Sequence, residues 1–418
     1  MKRGDNIIAG LDIGSSNVRM AVGQVVASSE GTAELQILAA AQHKSEGMGK
    51  GKINSIEDVV SSVSACYERA ERMAGVPIDS VWVSISGMHI MAQLSKGVVA
   101  VSRANNEISE EDVNRAIEAA RSIATPLNYE ILHSLPRSYA VDGQMSIKDP
   151  VGMTGIRLEV DSNIILGFST QVKNLSKAVY RAGLEIEDLV LSILASASAV
   201  LTKKQKELGV VIIDIGASTT SVAVFEEGEM IHVSVIPLGS DNITNDLALG
   251  LRSSVEIADA VKLEFGDCST EKTDRRAEVD LHDVGLEGNE MVKQRYINEI
   301  IEARVEEILQ KVDDELRKIQ RSGMLPAGAV FVGAGSKLPG LTDCAKKVLR
   351  LPACLGYPLD LLSVTDKIND LGFATAVGLV RWGVTTEKGL INRPAKKIIN
   401  QFGRAGGRIK KLFKTLIP

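Results

Sequence analysis

Two segments of the 418-residue chain share one hydrophobic pattern: an apolar run, a short polar turn and an alternating apolar run. Residues 6–26 read NIIAGLDIGSSNVRMAVGQVV, and residues 209–225 read GVVIIDIGASTTSVAVF. Apolar runs separated by such turns predict β-hairpins. Each hairpin carries Asp-Ile-Gly at its turn, and Asp12 and Asp214 lie 202 positions apart. This repeat predicts that the chain is built from two related halves.

A third glycine-rich segment, residues 329–341, reads AVFVGAGSKLPGL. It predicts a strand, a turn at Gly333-Ala334-Gly335 and a helix over residues 339–349. Two apolar segments, residues 189–202 and 371–382, predict buried helices, and the charged residues 290–320 predict a long helix. Strand-turn-helix junctions of this kind favour anions, because helix N–H groups and the helix dipole attract negative charge.

The three turns have the composition of a phosphate-binding site. A glycine lets backbone N–H groups approach an anion, and nearby hydroxyl groups add hydrogen-bond donors. Asp12 and Asp214 are the expected partners of Mg²⁺, which takes few carboxylates and keeps several waters. A single Asp-x-Gly is also a common turn, so the prediction depends on all three segments together. The candidate residues are Asp12, Gly14, Ser15, Ser16, Asn17, Asp214, Gly216, Ser218, Thr219, Gly333, Gly335, Ser336 and Lys337.

These segments resemble the phosphate-1, phosphate-2 and adenosine motifs of the actin, sugar-kinase and DnaK-type chaperone superfamily. The resemblance implies an α/β, actin-like fold of two halves, with ATP and Mg²⁺ in the cleft between them. It also implies two connecting helices, which residues 189–202 and 371–382 match.

Residues 84–163 predict a small α+β module inserted into the first half. Strand-like runs flank a Ser-x-x-Asp capping box at Ser109–Asp112, which opens an amphipathic helix. The ordered segments SGMHI, GVVAVS, EISEEDVNRAIEAA, EILHSLPRSYAVDGQ and KDPVGMTGIRLEV resemble the inserted subdomain of the FtsA family, the actin homologues of bacterial division. The resemblance extends over residues 6–383.

The resemblance implies a division of the chain into six parts. They are residues 1–83, 166–204 and 371–383 (first core subdomain), 84–165 (inserted subdomain), 205–250 and 325–370 (second core subdomain), 251–324 (nucleotide- and FtsZ-binding lobe), 384–403 (polar linker) and 404–418 (amphipathic membrane-targeting helix).

Three further expectations come from the resemblance. Asp259 and Lys262 match an acidic-x-x-Lys pair that reaches the ribose, although the acidic residue is usually Glu. Ala217 and Ser218 stand where relatives have glycine, which places the nucleotide affinity in question. Arg295 and Arg304, on the long helix, are candidate contacts for the C-terminal peptide of FtsZ; the alternative is that they belong to a solvated helix face.

The chain is expected to bind ATP with at most slow hydrolysis. Relatives that hydrolyse ATP well place Gln or Glu near the first connecting helix to orient water. Here residues 189–200 read LVLSILASASAV and include no acid, amide or histidine that could do so. No catalytic residue is therefore assigned, and ATP is expected to favour a homopolymer. A sugar kinase and a PilM-like pilus adaptor are the alternatives, and neither explains the C-terminal tail.

The C-terminal tail is basic. Residues 393–418 hold eight Lys and Arg and no acidic residue, so the rest of the chain carries a net charge of about −13. Apolar residues at i, i+3, i+4 and i+7 between cations predict an in-plane helix on anionic lipid. A helix docked on the protein's own body is the alternative. The candidate membrane residues are Arg408, Ile409, Lys411, Leu412, Phe413, Lys414, Leu416 and Ile417.

Composition argues against several classes of protein. Aromatic residues make up only 4% of the chain, which disfavours stacking on single-stranded nucleic acid. The four cysteines form no CxxC pair, so neither a zinc site nor a disulfide framework is expected. No signal peptide or membrane span is predicted. The expected place is the cytoplasmic face of the inner membrane at the division site, with FtsZ, anionic lipid, further copies of the chain and later division proteins as partners.

Overall fold

The computed structural model describes residues 7–27, 33–102, 105–122, 125–271, 273–285 and 291–391. The first predicted hairpin is confirmed: its two strands pair antiparallel, with Asp12 opposite Arg19. The Ser55 hydroxyl caps the first helix, which ends at Ala74 and is followed by Gly75 in the left-handed region. The opening elements are β1 (Ile7–Ile13), β2 (Asn17–Ala27), β3 (Ala33–Lys44), β4 (Met48–Gly49), β5 (Lys52–Ile53), α1 (Ile56–Ala74) and β6 (Ser80–Ile85).

The inserted subdomain is an antiparallel sheet covered by one helix. The predicted capping box is confirmed, because Ser109 and Asp112 each bond the backbone of the other. Gly97 allows the helix to lie directly on the sheet, since a Cβ there would overlap the Ala116 carbonyl oxygen. The elements are β7 (Ile90–Ala100), α2 (Glu110–Arg121), β8 (Tyr129–Val141), β9 (Gln144–Ile147) and β10 (Arg157–Phe168), in the sheet order β7-β10-β8-β9.

The chain then crosses to the second half. The predicted helix over residues 189–202 is shorter than expected, because β11 continues to Leu191 and the helix begins at Ser192. The crossing elements are α3 (Ser169–Arg181), β11 (Glu185–Leu191), α4 (Ser192–Val200) and α5 (Lys203–Leu208).

The second half repeats the hairpin of the first, with Asp214 opposite Ser221. The charged segment forms a 25-residue helix, as predicted, with its buried residues on one face. The elements are β12 (Val210–Ile215), β13 (Thr220–Glu226), β14 (Glu229–Ile236), α6 (Ser240–Leu251), α7 (Val255–Phe265), β15 (Glu278–Asp280), β16 (Met291–Lys293) and α8 (Gln294–Lys318).

The closing elements complete both central sheets. A 3-10 turn at Ala334–Lys337 precedes the helix predicted from residue 339, which begins at Leu341. The closing elements are β17 (Ala329–Val332), α9 (Leu341–Leu349), β18 (Ala353–Leu355), β19 (Leu362–Ser363) and α10 (Ala374–Ile391). The sheet orders are β11-β6-β1-β2-β3-β19 in the first half and β14-β13-β12-β17-β18 in the second.

Helices α4 and α10 pack against each other between the two sheets. A Cβ at Gly378 would overlap the Ala195 carbonyl oxygen, so the contact requires glycine. Arg381 donates from Nη1 to the Ser198 carbonyl at 3.0 Å, which binds the end of α4 to α10. One hydrophobic cluster, containing α4, α10 and residues of both sheets, joins the two halves.

Helix α10 also corrects an expectation. Residues 384–391 were expected to belong to a polar linker, but the helix continues to Ile391. Among the described helices, none has the length and apolar character that a bilayer crossing requires. The candidate membrane residues, Arg408 to Ile417, lie outside the described residues.

Candidate functional site

A cavity of about 880 Å³ lies between the two halves, where both repeated turns and the glycine-rich turn meet. Fourteen of the fifteen nucleotide-site candidates line it. The exception is Ser336, which is buried beneath the surface and donates its hydroxyl to the Val332 carbonyl at 2.5 Å. The lining candidates are Asp12, Gly14, Ser15, Ser16, Asn17, Asp214, Gly216, Ser218, Thr219, Asp259, Lys262, Gly333, Gly335 and Lys337.

The two repeated turns have the same backbone geometry. In the first, the Gly14 amide donates to the Asn17 carbonyl at 3.0 Å, and in the second the Gly216 amide donates to the Thr219 carbonyl at 2.9 Å. A Cβ at either glycine would lie 2.9 or 3.0 Å from that carbonyl oxygen. The tight turn therefore explains why both positions are glycine, and it directs two polar loops into one cavity.

Asp12 and Asp214 lie close enough for their charges to interact. Burial raises the pKa of Asp12, while the Ser84 hydroxyl, which donates at 2.6 Å, and the charge of Arg19 oppose this. Burial and the neighbouring Asp12 charge raise the pKa of Asp214 to about 7, against the opposing effects of Arg19 and the Thr375 hydroxyl. The two carboxylates oppose each other's ionisation, so a cation bound between the two turns would stabilise their charged forms.

The carboxylate pair fits a magnesium ion that keeps waters. Across the described ranges there is no group of three or more His, Cys, Asp or Glu side chains that could enclose a metal ion. Mg²⁺ is commonly held by one or two carboxylates together with waters and phosphate oxygens. Asp12 and Asp214, next to two turns that present N–H and hydroxyl groups, match that donor set.

Arg19 is a cleft residue that the sequence reasoning missed. It is only 8% exposed, lines the cavity, and donates from Nε to Gln42 Oε1 at 3.2 Å. Its guanidinium carbon lies 5.8 Å from the centre of the Phe373 ring. The available signal was its place opposite Asp12 on a short hairpin, which points its side chain to the same face as the carboxylate.

The glycine-rich turn closes over the second carboxylate. Gly333 has φ of 86°, and a Cβ there would overlap Asp214 Oδ1. Lys337 lines the cavity and forms an ion pair with Asp370, with Nζ 2.5 Å from Oδ2. The turn therefore supplies close backbone approach and one cation at the rim of the cleft.

Asp259 and Lys262 lie one turn apart on α7. Lys262 Nζ donates to Asp259 Oδ1 and to Thr244 Oγ1, both at 2.6 Å. Lys262 is nearly buried, whereas the Asp259 side chain is about half exposed. Lys262 consequently orients a carboxylate that faces the cavity, which is suited to accepting hydrogen bonds from hydroxyl groups.

Ala217 and Ser218 fit the second turn without distortion of its closing hydrogen bond. The Ala217 carbonyl accepts from the Asp241 amide at 2.8 Å, and Ser218 Oγ donates to Asp241 Oδ2 at 3.0 Å. Both bonds join the turn to the first residues of α6. Of the two departures from glycine, only Ser218 adds a bond that glycine could not make, and it fixes the turn against a helix N-terminus.

Arg295 and Arg304 lie on α8 and do not line the cleft cavity. Arg295 is partly exposed and pairs with Glu299 at 3.0 Å. Arg304 is less exposed and makes two bonds to Asp246, at 2.5 and 3.0 Å, as well as a pair with Glu307. Of the two, Arg295 is the more available to a partner.

Two family models match the chain: "Cell division protein FtsA" over residues 211–378 and "SHS2 domain inserted in FTSA" over residues 87–166. The chain is similar to cell division protein FtsA of Pseudomonas aeruginosa, with 35% identity over 90% of this chain and 89% of the relative. Against FtsA of Bacillus subtilis the identity is 38%, over 90% of this chain and 83% of the relative. Against FtsA of Neisseria meningitidis the identity is 33%, over 99% of this chain and 98% of the relative.

Two solved structures show the same fold. The PilM-PilN type IV pilus biogenesis complex matches with a TM-score of 0.65 and 17% identity, over 90% of this chain and 98% of that chain. MreB5 of Spiroplasma citri bound to ADP matches with a TM-score of 0.56 and 14% identity, over 93% and 99%. These neighbours establish an actin-like architecture for the two halves.

Proposed function

The chain belongs to the FtsA family of cell division proteins, and on that premise we propose that it binds ATP and tethers FtsZ filaments to the cytoplasmic face of the inner membrane at the division site. The observation that supports ATP binding most strongly is the cleft: two glycine turns of matching geometry face one cavity that also holds Asp12 and Asp214. This arrangement has the donors and the carboxylates that a magnesium-bound triphosphate requires.

Each part of the cleft has a distinct task in the proposal. The turns around Gly14 and Gly216 bind phosphate oxygens, and Asp12 and Asp214 hold hydrated Mg²⁺. Asp259, oriented by Lys262, accepts from the ribose, while Gly333 and Gly335 leave room for the base. Mg²⁺ held by these carboxylates would neutralise phosphate charge, and Arg19 would add a fixed positive charge to the cleft.

The nucleotide acts mainly as a conformational ligand. Helix α4 begins Ser192-Ile193-Leu194 and carries no acid, amide or imidazole that could orient an attacking water. ATP holds the two halves together across the cleft, and this closed form assembles into a homopolymer. Multiplying tails on one polymer strengthens a membrane contact that is weak for a single helix.

Membrane tethering in this proposal depends on residues 404–418. Helix α10 extends to Ile391, so the tail begins beyond a helix rather than directly at the body. The apolar residues Ile409, Leu412, Phe413 and Leu416 enter the interface, and neighbouring lysines contact anionic headgroups. Later division proteins then meet an assembly that is already fixed at the membrane.

Flotation with vesicles of phosphatidylglycerol and phosphatidylethanolamine tests the tether. The full chain is compared with a chain ending at Asn392, which retains all of α10, and with Leu412→Glu, each with and without Mg²⁺-ATP. We expect only the full chain to float, and ATP to increase its recovery. Equal recovery of the truncated chain would refute a tail-based tether.

The FtsZ contact is tested separately by fluorescence anisotropy of a labelled FtsZ C-terminal peptide. Arg295→Ala is expected to weaken binding more than Arg304→Ala, because Arg304 is already committed to Asp246. Unchanged affinity in both variants would remove this helix face from the proposed contact.

A further inference from the structure

A second cavity, of about 370 Å³, lies between the inserted subdomain and the second half. It shares no lining residue with the nucleotide cleft. Three consecutive residues of β7 (Ala92–Leu94) and three of β14 (Ile231–Val233) border it, together with residues of β8, β10 and the segment after α8. We call this the insert groove. Its volume lies within the range of small-ligand pockets.

Both strands that border the insert groove are end strands of their sheets, β7 in the four-stranded sheet and β14 in the five-stranded sheet. Within the described parts of the chain, residues 91–100 and 229–236 make no backbone–backbone hydrogen bond beyond their own sheets. Free strand edges present unpaired N–H and C=O groups to an extended segment. Asn163 occupies one of these groups, donating to the Met230 carbonyl at 2.6 Å.

The side chains at the insert groove are partly apolar. Leu94 is 62% exposed at its rim, while Ile231 is half-buried and Val233 buried at its border. Further along β7, Lys96 pairs with Glu159 at 3.1 Å and with Asp161 at 3.7 Å. A lysine in an edge strand discourages unwanted strand pairing. The stretch Ala92–Leu94 has no such protection.

The insert groove also contains one uncompensated positive charge. Arg321 makes three bonds to Glu226, at 2.8 to 3.0 Å, and His232 pairs with Glu315 at 3.0 Å. Arg137 also lines the insert groove and is half-buried. In the described part of the chain, its guanidinium has no hydrogen bond or ion pair. A partly desolvated cation without a partner favours a ligand that carries a carboxylate.

We propose that the insert groove binds a short extended segment of a partner protein, which places a carboxylate on Arg137 and apolar side chains against Leu94 and Val233. Backbone hydrogen bonds to the free edges hold the segment, and the charge selects an acidic sequence over a basic one. Because the insert groove is formed by both the inserted subdomain and the second half, the bound segment fixes the position of one relative to the other.

The test uses fluorescein-labelled acetyl-Ser-Leu-Glu-Leu-Ser-amide as the probe and the same peptide with Lys in place of Glu as its control. Anisotropy is measured with the full chain. We expect the Glu peptide to bind more tightly than the Lys peptide, and Arg137→Gln to weaken it about tenfold or more, as for loss of a charged hydrogen bond. Leu94→Glu should weaken it as well. Leu127→Glu, at a residue 91% exposed and outside the insert groove, should not.

Charge reversal separates binding from folding. The Arg137→Glu variant should no longer bind the Glu peptide and should bind the Lys peptide. A misfolded variant would bind neither. Amide exchange of residues 91–100 or 229–236 should slow when the Glu peptide is added. The proposal is overturned if the two peptides bind equally, if neither binds, or if Arg137→Gln leaves the affinity unchanged.

Discussion

Replacing Asp214 by Asn should stabilise the nucleotide-free protein at alkaline pH. The carboxylate is held beside Asp12 in a buried cleft, and its pKa is raised from 3.8 to about 7. Asn has nearly the same shape and can still accept the hydrogen bond from Thr375. The substitution therefore removes the charge with little change in packing.

The sign and the size follow from linkage. Between pH 3.8 and pH 7 the folded protein keeps the Asp214 proton while the unfolded chain loses it, so stability falls as the pH rises. Each pH unit in that window costs about 1.4 kcal/mol. From pH 5 to pH 8 the wild type should therefore lose about 3 kcal/mol through this residue, and Asp214→Asn should not. Asp12 remains and contributes to both proteins.

The assay is urea unfolding at pH 5 and pH 8 in EDTA without nucleotide. Tryptophan emission reports it, because the only two tryptophans are Trp82 and Trp382. Asp241→Asn, at an exposed carboxylate of the same cleft, is the matched control. The free energy of unfolding should fall between pH 5 and pH 8 by about 3 kcal/mol less in Asp214→Asn than in the wild type. Equal losses in the wild type and this variant would refute the reasoning.

Three further predictions concern fixed contacts. Gly333→Ala should abolish Mg²⁺-dependent binding of fluorescent ATP, because its Cβ would overlap Asp214 Oδ1; unchanged affinity would contradict this. Gly378→Ala should lower the thermal midpoint by several degrees, because its Cβ would overlap the Ala195 carbonyl oxygen and separate α10 from α4; a midpoint within one degree of the wild type, in scanning fluorimetry, would count against it. Asn163→Ala should cost about 1–2 kcal/mol in urea unfolding by losing its bond to Met230, and no change would exclude that bond as a stabilising contact.

The repeated hairpins could be predicted because their information is local. Strand alternation and the Asp-Ile-Gly turn define the same backbone at residues 12–19 and 214–221, and the structure shows equal closing bonds at Gly14 and Gly216. The inserted subdomain was predictable for the same reason, since its helix is set by a capping box. Turn and cap chemistry act within a few residues.

Side-chain direction at the third turn could not be predicted. Ser336 follows Gly335 directly, which suggested a ligand contact, but the 3-10 turn at Ala334–Lys337 rotates its hydroxyl to the Val332 carbonyl. A 3-10 turn is frequent next to the end of an α-helix, and it places successive side chains differently from an α-helix. Helix α10 extends past its predicted end for a different reason: polarity predicted a linker at residues 384–391, although Gly389 is the only glycine or proline in that stretch.

The two halves differ at the position where the repeat would be expected to be most alike. The residue opposite the turn aspartate is Arg19 in the first hairpin and Ser221 in the second. Arg19 lowers the pKa of both carboxylates, while Ser221 bonds Ser86 across the cleft at 3.1 Å. A single cation thus serves two acidic groups and offsets only part of their repulsion. The remaining excess of negative charge is what a magnesium ion would neutralise, and it explains why the cleft should gain most from its ligand at the pH where Asp214 is ionised.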